Sequence, residues 1–328
     1  MNSFQQLTHL FEVKFDKKHF PEEPKTLYEA SQYLLTFGGK RIRPVLVLMG
    51  NEMFEDIKDD AYEVATAVEL FHNFTLVHDD IMDEAPLRRN HPTVHTVYGQ
   101  STALLAGDVM LVQAYEYLRK IDLSYLQSVL TLFNDVAKKV CEGQQMDMDF
   151  ALRGLEKGNS DEVNFDDYVT MIGLKTSVLL AGCIQLGAII GGAGLGNQQH
   201  LYEFGKNLGI AFQIQDDYLD AFGEPEKFGK KPGGDILSNK KTFLLLQAMK
   251  VGTPPQKEKI TQLLNSNEDT KVASMLDIYR SCNIDDWARD LKQKYFSIAM
   301  DHLEEVAVVS ARKKPLEELA NYLMDRDV

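Results

Sequence analysis

ELFHNFTLVHDDIMDEAPLRR, residues Glu69–Arg89, places three aspartates, Asp79, Asp80 and Asp83, at the end of an apolar run. From Tyr62 to Val77 apolar residues recur at helical spacing without Gly or Pro, so the stretch reads as a helix. At 3.6 residues per turn, positions four apart lie one above the other, and Asp79 and Asp83 can aim at one point. The pattern returns in FQIQDDYLD, residues Phe212–Asp220, with Asp216, Asp217 and Asp220. Like charges four apart destabilise a bare helix, so a cation should compensate them. The alternative is a solvated acidic face. Leu76, Val77, Ile81 and Met82 around the first motif argue against it, as do Phe212, Ile214, Tyr218 and Leu219 around the second. Hard oxygen donors without His or Cys favour magnesium, which is held by one or two carboxylates together with substrate phosphates.

Outward from these motifs the chain keeps reading as helix. Thr102–Leu118, Leu126–Val140, Gln198–Phe222 and Trp287–Ala311 share the period, while alternating strand patterns are scarce. Gly- or Pro-containing breaks fall at Phe37–Pro44, Ala85–Gly99, Arg153–Asn164, Phe222–Asn239 and Gly252–Pro255. No fixed-period repeat or linker divides the 328 residues. The expectation is one all-α domain, residues 1–328, with ten or more helices. Several are apolar almost all round and should form a central bundle. Ser177–Gly196 carries no charge and approaches bilayer-spanning length. Its glycines, Gln and Ser favour a buried core helix instead, and no transmembrane segment is expected.

The net charge of -14 argues against nucleic acid, because a polyanion binder needs the opposite sign. A diphosphate can still bind through metal ions and local basic residues. Three cysteines without a CxxC pair argue against a disulfide framework or zinc site and fit the cytoplasm. The first residues lack the basic flank and apolar run of a signal peptide.

The basic residues cluster. GGKRIRP, Gly38–Pro44, precedes an apolar helix, and Arg88 and Arg89 follow the first acidic motif. Arginine grips phosphate bidentately and lysine acts as a point charge. KRIR alone fits a surface patch as well, but the two glycines suggest close backbone approach. Lys175 with Thr176, Lys230 or Lys231, and Lys240 form a weaker third set.

GGKRIRP, ELFHNFTLVHDDIMDEAPLRR, GQQMD, KT, FQIQDDYLD and GGDILSNKKT, in that order, closely resemble the trans-prenyl diphosphate synthases from about Tyr28 to Thr242. The resemblance implies the type I isoprenoid synthase fold, an all-α bundle around a deep central cavity, in a homodimer. It implies two aspartate motifs facing each other across the mouth with three magnesium ions. By position Asp79, Asp83 and Asp216 are direct ligands. Asp147 is a further ligand or a supporting residue, and Asp80, Asp217, Asp220 and Asp235 are supporting. Arg88, Lys175 and Lys240 match allylic diphosphate contacts, as does one of Lys230 and Lys231. Lys40, Arg43, His72 and Arg89 match the isopentenyl diphosphate pocket. For His72 alone, a satisfied core histidine is the other reading.

The implied chemistry is ionisation, condensation and elimination, joining isopentenyl diphosphate head to tail to an allylic diphosphate. The Lys175 carbonyl, Thr176 and Gln213 match positions that face the allylic cation. Phe74, five residues before Asp79, could floor the cavity or simply pack in the core, and Thr75 beside it is small. An aromatic there, with no insertion in the first motif, resembles enzymes making C20 products, with C15 next. A class I terpene cyclase would carry a different second metal motif and no isopentenyl diphosphate pocket. A non-catalytic regulatory subunit would lose acidic motifs. His78-Asp79 also opens a metal phosphohydrolase motif, but that class needs further His and Asp ligands.

Overall fold

The computed structural model describes residues 1–16, 18–153, 163–223, 233–266 and 269–325. The helices are α1 (Phe4–Phe15), α2 (Lys25–Leu35), α3 (Ile42–Glu52), α4 (Asp59–Met82), α5 (Val94–Tyr98), α6 (Gln100–Leu118), α7 (Leu123–Leu152) and α8 (Phe165–Ile172). A π-helical turn, Gly173–Ser177, leads into α9 (Val178–Ile190) and α10 (Leu195–Phe222). Then come α11 (Gly234–Leu237), α12 (Phe243–Val251), α13 (Pro254–Leu264), α14 (Lys271–Ser281), α15 (Ile284–Glu304) and α16 (Ser310–Met324). Strands among the described residues are confined to a two-residue hairpin, β1 (Leu87–Arg88) and β2 (His91–Pro92), in which Arg88 pairs with His91.

The described residues group into two compact units. The first comprises Met1–Asp135, Gly182–Tyr202 and Val306–Leu316. Its centre is α4, packed mainly against α6 and α3. Ala61, Val64, Ala65, Val68, Leu70, Phe71 and Val77 are all buried on α4, so the helix is enclosed nearly all round. Each such Leu, Val or Phe contributes about 1.5–3 kcal/mol of burial. Ser3 and Gln6 cap α1 reciprocally and satisfy two of its orphan N–H groups.

The second unit comprises Val136–Ala181, Glu203–Glu305 and Glu317–Val328. Its core joins Tyr168, Ile214, Phe243, Leu245, Ile260, Met275 and Tyr279. The one tryptophan, Trp287, packs its ring against Phe165 at 5.5 Å and Phe243 at 5.7 Å. The residues after Val251 carry no readable motif, yet α13, α14 and α15 supply much of this core over α12.

Two expected stretches are interrupted, while the helix expected over Leu126–Val140 runs on from Leu123 to Leu152. The helix expected over Trp287–Ala311 ends at Glu304, and a new one begins at Ser310. Asn197 Oδ1 takes the Ala307 N–H at 2.8 Å and Val306 is buried, so tertiary contacts turn the chain there. The apolar stretch Ser177–Gly196 is likewise divided, α9 stopping before Gly192 at φ 78°. Phe165–Ile190 is long and apolar enough to cross a membrane, but 78% of its most apolar window is buried inside the protein.

Candidate active site

In the first unit the end of α4 presents the DDIMD aspartates. Asp80 is 1% exposed, whereas Asp79 is partly open and Asp83 lies exposed at the helix C-cap. Arg88 on β1 reaches back to the motif. Its Nε and Nη2 both meet Asp80 Oδ1, at 2.8 and 2.7 Å, and Nη2 also lies 3.4 Å from Asp79 Oδ2. Asp80 Oδ2 is buried with no hydrogen-bond partner. Burial pushes the Asp80 carboxyl above its usual range, against the pull of Arg88. The hairpin thus places a guanidinium against Asp79 and Asp80.

Behind this motif lies a strongly basic pocket. The backbone of GGKR is bent, with Gly38 at φ 66° and Arg41 at φ 51°. Lys40 is left exposed and Arg41 turned inward. Arg41 pairs with Glu69 on α4, both buried. Arg43 Nη1 lies 3.2 Å from His72 Nε2, and the Arg43 Nε is buried without a partner. Arg89, at the hairpin tip with φ 52°, donates to the Gly38 carbonyl. Burial, then Arg43, Arg89, Arg88 and Arg41, hold the His72 imidazole well below its usual pKa. His72 is therefore neutral at pH 7 and accepts from Arg43 rather than repelling it. Four guanidinium groups around one neutral histidine in a chain of charge -14 form a ready anion site.

His78 meets the Leu104 carbonyl through Nε2 at 3.1 Å and stacks edge-on against Phe74 at 4.8 Å. That placement commits it to packing rather than to a phosphohydrolase metal. Phe74 also contacts Phe71, ring to ring at 5.7 Å. Thr75 is half-buried and turns its hydroxyl to the His72 carbonyl.

In the second unit α10 presents the DDYLD aspartates. Asp217 is 3% exposed, while Asp216 and Asp220 are half-buried. Tyr168 donates to Asp217 Oδ2 at 2.5 Å and Gln213 Nε2 to Asp217 Oδ1 at 2.9 Å. Burial pushes the Asp217 carboxyl up, opposed by Lys240, Tyr168 and Gln213. Asp220 accepts the Asp235 N–H at 2.9 Å and its carbonyl takes the Gly233 N–H at 2.5 Å, which ties the GGD turn to α10. Lys240 lies 3.6 Å from Asp235, whose carboxyl burial pushes up to about 6. Burial lowers the Lys240 pKa, but Asp217, Asp235 and Asp147 outweigh it and the ammonium is held charged.

Lys175 and Thr176 sit in the π-helical turn, closed by the Val178 N–H on the Gly173 carbonyl. Such turns interrupt the α-helical ladder and recur at functional sites. Asp147 on α7 takes the Lys175 ammonium at 2.6 Å. Lys230 and Lys231 lie outside the described residues.

The structure therefore gathers Asp79, Asp80, Asp83 and Arg88 in one unit with Arg43, His72 and Arg89. It gathers Asp147, Lys175, Gln213, Asp216, Asp217, Asp220, Asp235 and Lys240 in the other. Three residues escaped the sequence reading: Arg41, Glu69 and Tyr168. A lone Glu inside the apolar run ATAVELF was the available signal for the Arg41–Glu69 pair; Tyr168 had none.

Among the described residues no three His, Cys, Asp or Glu side chains form a ready-made metal cage. The carboxylate oxygens of each motif are nevertheless donors of the kind magnesium takes, an ion that completes its shell with water and substrate phosphates.

The sequence model of the polyprenyl synthetase family matches residues 24–282. A short chain isoprenyl diphosphate synthase of Methanothermobacter thermautotrophicus is 35% identical, covering 93% of this chain and 91% of its own. A geranylgeranyl diphosphate synthase of Saccharolobus solfataricus is 36% identical, covering 96% and 95%. A geranylfarnesyl diphosphate synthase of Natronomonas pharaonis is 32% identical, covering 93% and 91%. A crystal structure of a geranylgeranyl pyrophosphate synthase superposes with a TM-score of 0.92 at 40% identity, covering 99% of both chains. That of Corynebacterium glutamicum geranylgeranyl pyrophosphate synthase, complexed with calcium and isoprenyl diphosphate, gives 0.82 at 26%, covering 98% and 96%. Paired aspartate motifs, arginine-rich pocket and these matches together establish that the chain belongs to the polyprenyl synthetase family of all-helical prenyltransferases.

Proposed function

We propose that this prenyltransferase condenses isopentenyl diphosphate head to tail with allylic diphosphates, yielding C20 as the main product and C15 as the next. The observation that carries the site assignment is the same in both motifs. The middle aspartate is buried and held by protein groups, whereas Asp79, Asp83 and Asp216 keep surface that solvent reaches. Asp79, Asp83 and Asp216 are the proposed magnesium ligands, with three ions in the substrate complex. Asp80, Asp217, Asp220 and Asp235 hold the surrounding groups in place. Asp147 holds the Lys175 ammonium and is a further candidate ligand. Magnesium, when bound, neutralises the charge that develops on the leaving diphosphate.

Arg88, Lys175 and Lys240 bind the allylic diphosphate and stabilise it as the C–O bond breaks and the electron pair leaves with the diphosphate. Lys40, Arg43, His72 and Arg89 bind isopentenyl diphosphate. The orphaned Arg43 Nε is a donor awaiting such an anion. Gln213 spends its NH2 on Asp217, which leaves its carbonyl oxygen as the dipole for the cation. The Lys175 carbonyl and Thr176 hydroxyl add further dipoles. The double bond of isopentenyl diphosphate then forms the new C–C bond, and a proton passes to the departed diphosphate. Exclusion of water prevents quenching to an alcohol.

Phe74 is the proposed floor for the growing tail, held by Phe71 and His78. A geranylgeranyl diphosphate synthase among the relatives supports the C20 reading, and a geranylfarnesyl diphosphate synthase marks the next longer product. A homodimer is supported by α6, where Leu104, Leu105, Val112 and Tyr115 remain exposed. Unpaired cysteines fit a cytoplasmic enzyme.

The test is a product analysis. Purified protein receives isopentenyl diphosphate with dimethylallyl, geranyl or farnesyl diphosphate, with magnesium or chelator, and the prenols are sized by mass spectrometry. A magnesium-dependent C20 product with minor C15 is expected. A dominant C30 or longer product would remove Phe74 as the floor. No elongation with any primer would overturn the synthase reading in favour of a regulatory subunit.

A further inference from the structure

The π-helical turn Gly173–Ser177 is approached by glycines of two neighbouring helices, at Leu174–Lys175 and at its last residue, Ser177. A Cβ built at Gly143 on α7 would fall on the backbone of the turn, 2.6 Å from the Leu174 carbonyl carbon and from Lys175 Cα. A Cβ built at Gly209 on α10 would lie 2.8 Å from Ser177 Cα and 2.9 Å from its Cβ. Both glycines lie well inside long helices, where alanine is the better helix former. Close approach, not helix formation, is what glycine supplies at these two positions. One helical turn beyond Gly143, Asp147 takes the Lys175 ammonium at 2.6 Å. One turn beyond Gly209, Gln213 donates to Asp217 at 2.9 Å. The same two helices that press on the turn thus also carry the groups that work beside it.

We infer that Gly143 and Gly209 are positioning residues, which let α7 and α10 clamp the π-helical turn and so aim the Lys175 carbonyl and the Thr176 hydroxyl. The inference rests on the reading of those two groups as dipoles for the allylic cation. A π-helical turn spaces its carbonyls differently from an α-helix, and relaxation toward α-helical spacing would swing them away. Backbone packing at Leu174–Lys175 and at Ser177 opposes that relaxation. A methyl group at either glycine would force the turn or its neighbour to shift, further at Gly143, where the Lys175 amide nitrogen is the nearest atom, than at Gly209. Misplacement on that scale is enough to depress a chemical step while leaving remote diphosphate contacts in place.

The experiment compares G143A and G209A with G196A, an exposed position on α10 where an added Cβ meets nothing within 4 Å. Steady-state kcat, KM for each diphosphate, far-UV circular dichroism and the thermal midpoint are measured for all three. G143A and G209A are expected to lose ~30-fold in kcat with KM changed by less than about two-fold, while G196A keeps wild-type values. Equal losses in kcat/KM that arise from KM alone would overturn the clamp, as would wild-type kcat in both variants. Failure of both variants to fold would also overturn it, since a clamp that only aims a turn leaves the fold standing. T176V separates the clamp from the reading beneath it. Wild-type kcat in T176V would sink the catalytic reading of the turn itself. Impaired T176V beside unimpaired G143A and G209A would sink the clamp alone.

Discussion

Asp80 and Asp217 hold the same place in two DDxxD motifs, DDIMD and DDYLD, and the protein accommodates them by different chemistry. Asp80 is met by a guanidinium, with two donors of Arg88 on one oxygen and the other oxygen unpaired. Asp217 is met by two neutral donors, one on each oxygen, with the Lys240 ammonium acting through space. The first arrangement balances charge but leaves a buried acceptor unsatisfied. The second satisfies the hydrogen bonds but leaves the charge to a more distant partner. The lesson is that DDxxD specifies where carboxylates stand on a helix, not how a buried one is stabilised; the packed neighbours decide that.

The largest effect should come from the outer carboxylates. D79N and D216N are each expected to lower kcat by about 10³-fold with a thermal midpoint near that of wild type, because each replaces a proposed ligand by an amide of the same shape. A stability loss in either would show that outer and middle positions do not divide the work. Next come the partners of the middle aspartates. R88M strands a buried carboxylate and should cost about 3 kcal/mol in chemical denaturation, most of it restored in R88M/D80N. Y168F removes one of two neutral donors and should cost about 2 kcal/mol. Equal costs, or no rescue by D80N, would erase the contrast between the two motifs.

The pH dependence sharpens it further. Burial and four arginines lower the His72 pKa below 6.5, so the unfolded state takes up protons that the folded state refuses. Its contribution to stability is complete above about pH 6.5 and is lost as pH falls toward the folded pKa. Asp235 is opposite in sign: its folded carboxyl is raised from 3.8 to about 6. Stability from its protonated form is present below about pH 4 and declines as pH rises through about 6. Denaturation of H72Q and D235N across pH 4–8 should each remove its own slope, the Asp235 one amounting to roughly 3 kcal/mol. Slopes of the same sign would break the comparison. The smallest effect concerns product length. F74A should shift the products toward C25 and beyond with kcat within about three-fold of wild type, read by mass spectrometry of the prenols.

Much of the candidate site was legible because its chemistry is local. Asp79 with Asp83 and Asp216 with Asp220 share a helical face by spacing alone, and GGKRIRP announced both a bend and a cluster of cations. The Arg41–Glu69 pair was harder to see, because Arg41 reads as one more exposed base until its φ of 51° turns it inward. Tyr168 was not legible at all: 49 residues separate it from Asp217, and a tyrosine in an apolar helix signals only core. The helix that stops at Glu304 failed for the same reason, since Asn197 captures the Ala307 amide from 110 residues away.

By itself the sequence determined the all-helical class, the two aspartate faces, the basic segments and the family, all of which depend on residues within a few positions of each other. Only the tertiary structure decided which aspartate of each motif is buried, what compensates it, and that Lys175 and Thr176 sit in a π-helical turn gripped by Gly143 and Gly209. The physical reason is that helical periodicity fixes where a side chain leaves its own helix, whereas burial, pairing and close approach are set by whatever other helix arrives there.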